Sequence, residues 1–117
     1  MPNFVSRLID NILLKSKFVD FTIKIAESNP TPDKILGQQI YIVGGKGYKK
    51  WAYLRCPCGC NDIVTLSLME KHRPNWRLKI DRLNRPTIYP SIWKTDGCRS
   101  HFWITKGKLE WAWSDDN

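Results

Sequence analysis

Histidine is scarce in this chain, which has two, and neither belongs to an H-E-x-x-H helix, so that zinc-peptidase motif is absent. No stretch approaches the roughly twenty apolar residues that a membrane-spanning helix needs, and no membrane partner is expected. The first residues lack the basic head, apolar middle and small-residue cleavage site of a secretory signal. A cytoplasmic protein is the expectation. Internal repeats and low-complexity tracts are also missing, and acidic residues are outnumbered, 11 Asp and Glu against 19 Lys and Arg. The resulting formal charge of +8 favours acidic partners or nucleic acid through long-range attraction and carries no information about fold.

What is present is aromatic area and four cysteines. A chain of 117 residues fits one domain, because a core of that size buries roughly two thirds of the unfolded surface. Residues 1–117 are therefore read as a single unit. Six Trp, four Tyr and four Phe can stabilise a small β domain whose average composition is mildly hydrophilic.

Phe4, Val5, Leu8, Ile9, Ile12 and Leu13 recur at helical spacing behind Asn3, a suitable cap, and predict an amphipathic helix over about residues 3–16. The period then changes to two. Alternation predicts strands at Phe21–Ile25, Gln39–Val43, Trp51–Arg55, Asp62–Leu68, Trp76–Ile80, Thr87–Tyr89, His101–Thr105 and Lys108–Trp113, the last two joined by a Lys106-Gly107 hairpin turn. Short strands without alternating helices point to a mainly β fold: a small antiparallel sandwich or partly open barrel with an N-terminal helix.

Three cysteines fall within Cys56-Pro57-Cys58-Gly59-Cys60, too tightly spaced for ordinary mutual disulfides, and Cys98-x-x-His101 adds two more soft ligands from a distant segment. Thiolate and imidazole select zinc, Gly59 lets the backbone turn between sulfurs, and Pro57 limits the entropy to be lost. One Zn2+ held by four of Cys56, Cys58, Cys60, Cys98 and His101 is the expectation, stapling mid-chain to C-terminal hairpin. Five candidates for four positions leave two arrangements. Either one group stands outside the metal, or a position belongs to water and the metal is catalytic. His72 lies in a polar loop and is read as solvated.

The motifs Cys56-Pro57-Cys58-Gly59-Cys60, Pro90-Ser91-Ile92 and Cys98-Arg99-Ser100-His101-Phe102-Trp103-Ile104, followed by Gly107 and Trp111, resemble a family of small bacterial proteins. That family is filed as a domain of unknown function and is encoded in operons for ubiquitin-like proteins and their activating and conjugating enzymes. The resemblance covers about residues 18–113. It implies a peptidase that processes the C-terminus of a ubiquitin-like protein or removes it from conjugates. Such an enzyme could use zinc-bound water, with Ser91 orienting water or substrate and Asp62 within reach of the metal-bound water.

Other readings stand beside that one. Ser91 can simply satisfy local backbone groups, and Asp62 can simply open a strand. Lys71, Arg73, Arg77, Lys79, Arg82 and Arg85 with Trp76 form a basic segment that would suit nucleic acid, or, with Trp76 turned inward, a modifier-binding surface. A cysteine peptidase using the spare thiol and a non-catalytic zinc-stabilised adaptor complete the set.

Overall fold

The computed structural model describes residues 18–45 and 47–112, together with Ile12 and Leu14. The helix expected over 3–16 lies outside the described residues apart from those two. Eight strands follow one another: β1 (Thr22–Ala26), β2 (Gln39–Gly45), β3 (Tyr48–Arg55), β4 (Ile63–Ser67), β5 (Arg77–Ile80), β6 (Pro86–Trp93), β7 (His101–Thr105) and β8 (Lys108–Trp111). They form two four-stranded sheets, β1-β2-β3-β4 and β5-β6-β7-β8, each in sequence order. Two separate sheets replace the barrel alternative.

One pair departs from the mainly antiparallel arrangement expected: β1 pairs with β2 in parallel, Thr22 opposite Gln39 and Ala26 opposite Val43. A parallel neighbour requires a crossover of about a dozen residues rather than a tight turn. Residues 27–38 supply it, with a short 3-10 turn at Pro32–Lys34. Arg55, the last residue of β3, ties this crossover down through Nε to the Ile35 carbonyl at 2.9 Å and Nη2 to that of Pro32 at 2.7 Å. Its Nη1 reaches the Asn61 carbonyl at 3.1 Å, so one guanidinium holds the crossover against the cysteine loop.

Period-two burial builds the core. Ile40 and Ile42 from β2, Ala52 and Leu54 from β3, Val64 and Leu66 from β4 meet Ile88 and Ile92 from β6 and Phe102 and Ile104 from β7 in one cluster. Trp76 and Trp111 pack at its margin. Ile25, near the end of edge strand β1, is exposed, so the alternation that predicts the strand does not bury all of it.

The Lys106-Gly107 turn has φ of 49° and 77°, the doubly positive pattern that suits a right-twisted two-residue hairpin. Gly107 also joins the two sheets. Its carbonyl accepts from the Asp20 and Phe21 amides at 2.7 and 3.0 Å, and its own amide donates to the Pro86 carbonyl at 2.7 Å. A Cβ there would lie 2.6 Å from Val19 Cγ1. Gly107→Ala is therefore expected to cost about 2–4 kcal/mol, from overpacking against Val19 and a positive φ together. Denaturant unfolding that shows a loss under about 0.5 kcal/mol, the range of an ordinary surface change, would contradict this junction.

Candidate functional site

Where β3 ends, the chain closes a loop in which the Cys56 amide donates to the Asp62 carbonyl at 2.8 Å and the Cys60 amide to Cys58 Sγ at 3.3 Å. Gly59, at φ 94°, makes the turn between the exposed sulfurs. From the other sheet, the 94–100 loop between β6 and β7 is closed by the Lys94 amide on the Ser100 carbonyl at 2.8 Å and the Arg99 amide on that of Asp96 at 3.1 Å. The loops meet through Lys94 Nζ and Asp62 Oδ2, 2.7 Å apart.

This meeting brings the sulfurs of Cys56, Cys58, Cys60 and Cys98 within 4.8 Å of one another, all as free thiols. Cys56 Sγ is 3.4 Å from Cys58 Sγ and 3.5 Å from Cys98 Sγ. Ser100 Oγ sits 3.1 Å from Cys98 Sγ, and that hydroxyl, with its backbone amide, lowers the Cys98 thiol to about 6. Cys60 moves the other way. The Asp62 amide favours its thiolate, yet Cys58, Cys98 and Cys56 outweigh it and push Cys60 up to about 12. Cys56 is raised chiefly by burial. Negative charge accumulating on four adjacent sulfurs is what a divalent cation relieves, so the donor set can hold a metal ion as a four-thiolate site.

His101 stands outside that cluster. Its Nε2 lies 2.8 Å from Ser91 Oγ, a pairing the sequence reading assigned to neither residue. His101 is not among the four clustered sulfur donors: β7 begins at His101, and its ring meets Ser91 rather than the cysteines. Ser91 is also not in a turn. It belongs to β6 where the ladder to β7 shifts register, Ile88 opposite Ile104 but Ile92 opposite Phe102. Two extra residues on β6 make a bulge that re-aims the hydroxyl, a recurrent use of such irregularities beside functional sites. The Trp76 indole N–H donates to the Ser91 carbonyl at 3.1 Å and holds the bulge.

Beside this pair, the Trp93 indole stacks on the His101 ring, centroids 4.9 Å apart and planes 12° from parallel. Tyr89 lies 6.2 Å from Trp103, and Tyr89 and Trp93 are both exposed. Asp62 does not join Ser91: Lys94 occupies its carboxylate and lowers its pKa by that hydrogen bond and charge. An ion-paired acid is poorly placed as a base.

A second serine–histidine pair exists. Ser67 Oγ is 2.7 Å from His72 Nδ1, but Ser67 is 5% exposed and its hydroxyl also accepts from the Met69 amide at 3.2 Å. That hydroxyl is spent on the 68–76 loop. Ser91, partly exposed on the outer face, is the reachable one.

The family model described as bacterial ubiquitination-like system serine protease (BubE) matches residues 27–112. The chain belongs to this family. No curated protein and no solved structure matches it. The BubE match contains both serine–histidine pairs and all four cysteines, and the family's printed name is that of a serine protease rather than a metal-dependent one. Zinc-dependent hydrolysis also sits poorly with the site's chemistry, because four thiolates fill a tetrahedral ion and leave no position for water. Among the described residues no helix is long and apolar enough to cross a membrane.

Trp76 is packed on the core with its indole N–H engaged, and Arg85 pairs with Asp81 at 2.6 Å. These contacts remove the stacking platform and one cation from the nucleic-acid reading.

About one metal equivalent per chain is expected. Cys98→Ser should release it and lower the melting temperature by about 10 °C or more, since the ion joins the two sheets. His101→Ala should retain the metal. Elemental analysis of both variants checks this, and metal loss from His101→Ala would restore the histidine as a ligand.

Proposed function

We propose that this chain is a serine peptidase of ubiquitin-like proteins, with Ser91 as nucleophile and His101 as general base. The observation that carries the reading is the 2.8 Å contact between Ser91 Oγ and His101 Nε2 on the accessible face of the second sheet. A serine hydroxyl is a weak nucleophile until an adjacent base accepts its proton, and an imidazole nitrogen within hydrogen-bond reach is suited to that task.

In this reading Ser91 Oγ attacks the carbonyl carbon of the scissile peptide or isopeptide bond while its proton passes to His101 Nε2. The same proton goes next to the leaving amine as the C–N bond breaks. A water, deprotonated by His101, then hydrolyses the Ser91 ester and frees the shortened or deconjugated product. Trp76 keeps the nucleophile's backbone in place throughout.

Zn2+ is the ion we assign to Cys56, Cys58, Cys60 and Cys98. When bound it supplies structural cross-linking, and its removal acts on the reaction through the position of β7. The ubiquitin-like partner follows from the family's name and from the encoding context that the sequence motifs imply. A cleft of about 600 Å3 lined by Lys49, Arg73, Arg77, Glu70 and Trp76 adjoins the Ser91 strand through Trp76 and offers a net basic surface to a protein substrate.

Two outcomes are expected with the ubiquitin-like protein encoded beside this chain, extended past its natural C-terminus. Ser91→Ala and His101→Ala should each reduce turnover by at least about a hundredfold while keeping metal content and melting temperature near wild type. Intact-mass analysis of the products reads the result. Full turnover by zinc-loaded Ser91→Ala would remove the serine mechanism. No cleavage by folded wild type would favour a zinc-stabilised adaptor.

Arg77→Glu should raise KM several-fold with kcat little changed, more so at low salt, because the change lies in the cleft and away from the reacting pair. A salt-independent effect would contradict an electrostatic docking role.

A further inference from the structure

We propose that Trp93 is the positioning residue for the His101 base, filling by ring stacking the place that a carboxylate fills in a three-membered serine–histidine–acid array. The inference rests on the serine-peptidase reading above and extends it to a residue outside the nucleophile–base pair.

A histidine base works only when its ring plane and its protonated nitrogen are both set, which the acid of a triad does by bonding Nδ1–H. Among the described residues no side chain bonds His101 Nδ1, and the ring's one hydrogen bond is that of Nε2 to Ser91. Asp62, the acid of the cysteine loop, is held by Lys94. The ring therefore needs another constraint on its rotation. Trp93 provides a plane, since the two residues are directly cross-strand in the β6–β7 ladder and their rings lie 12° from parallel at 4.9 Å. Face-on contact fixes the imidazole's tilt and leaves Nε2 pointing along the sheet surface toward Ser91.

The stack has a second consequence. When His101 takes the Ser91 proton it becomes an imidazolium, and a cation over an indole face is attracted by the ring's negative quadrupole, most strongly for Trp. The contact is thus tighter in the charged state that the reaction passes through than in the resting state, the condition for an interaction to accelerate chemistry rather than merely bind.

Trp93 is itself well held and yet contributes little to the core. It is 64% exposed, so hydrophobic burial does not account for an indole at this position. Its neighbours are fixed on both sides: Ile92 is buried at 2% exposure, and the Lys94 amide donates to the Ser100 carbonyl while the Lys94 ammonium is tied to Asp62. At the other member of the pair, the Ala112 amide donates to the His101 carbonyl at 2.9 Å. A rigid backbone on both strands makes the stack a defined geometry.

The test uses the full, zinc-loaded chain and a small fluorophosphonate, whose covalent labelling of Ser91 is followed by intact mass. Such a probe reports nucleophile activation without a protein-binding surface. Trp93→Leu should lower the maximal labelling rate on the order of tenfold with the concentration for half-maximal rate unchanged, and Trp93→Phe should recover most of that loss. Wild-type labelling rates in Trp93→Leu overturn the proposal. So does equal slowing in Trp93→Leu and Trp93→Phe, which would show that bulk and not an aromatic face matters. A raised half-maximal concentration with an unchanged maximal rate would instead make Trp93 a substrate wall and overturn it as well. Labelling that persists in Ser91→Ala would defeat the underlying serine reading, and that failure is visible before any Trp93 variant is made.

Discussion

Four sulfurs brought within 4.8 Å of one another from the ends of two sheets are the constraint on which this architecture depends. Left as thiolates they would repel. The acidity of Cys98 and the reluctance of Cys60 to ionise show the same crowding from two sides, one sulfur taking charge because Ser100 solvates it and another refusing because its neighbours already carry it. A bound divalent cation removes that conflict and turns a destabilising cluster into a cross-link between the first sheet, through Cys56, Cys58 and Cys60, and the second, through Cys98. The Lys94–Asp62 pair spans the same junction but is largely exposed on its Asp62 side, where solvent screens most of its worth. The sulfurs are what can hold the junction.

What the junction determines is where β7 starts. Cys98 lies three residues before His101, so fixing the sulfur fixes the loop that delivers the imidazole to the outer face. The inward residues of the same strands, Ile88, Ile92, Phe102 and Ile104, are at most 2% exposed and belong to the core. One sheet therefore has two functions divided by face. Inward side chains anchor it, and outward ones, Ser91, Trp93, His101 and Trp103, compose the surface on which the proposed reaction would take place. The β6 bulge is the local departure from regular pairing: it moves the ladder on by two residues, so that Trp93 and not Ser91 stands directly opposite His101.

Much of this was legible before any coordinates. The period-two runs mark all eight strands, although only Thr87–Tyr89 of β6 was read as strand, and the Lys106-Gly107 turn and the cysteine cluster follow from turn chemistry and soft-ligand spacing. Residues 3–16, where a helix was read, lie outside the described residues except for Ile12 and Leu14. The parallel β1–β2 pair was not legible, because strand direction depends on where the twelve-residue crossover packs and no local pattern records that. Nor was the division of labour at the site. Cys98-x-x-His101 looks like two ligands by spacing alone, and only the ladder of β6 and β7 shows the ring turned toward Ser91. The signal that could have separated them was a serine in one motif and a histidine in another, with the four cysteines already sufficient for a closed metal site.

That sufficiency favours one of the two chemistries the sequence left open, the one proposed above. A zinc ion performing hydrolysis must keep a position for water, and it gains acidity at that water from neutral ligands. Four thiolates do the opposite on both counts: they saturate the ion and donate enough negative charge to make it a weak Lewis acid. In the proposed mechanism bond cleavage falls to groups outside the metal site, and the outer face offers a hydroxyl, an imidazole nitrogen 2.8 Å from it and an indole stacked on that imidazole. In that reading metal site and base are separated in role, although Cys98 and His101 are only three residues apart. Reactivity of the proposed kind would be conditional on an intact fold, because an ion held at Cys98 would also fix the loop that leads to His101.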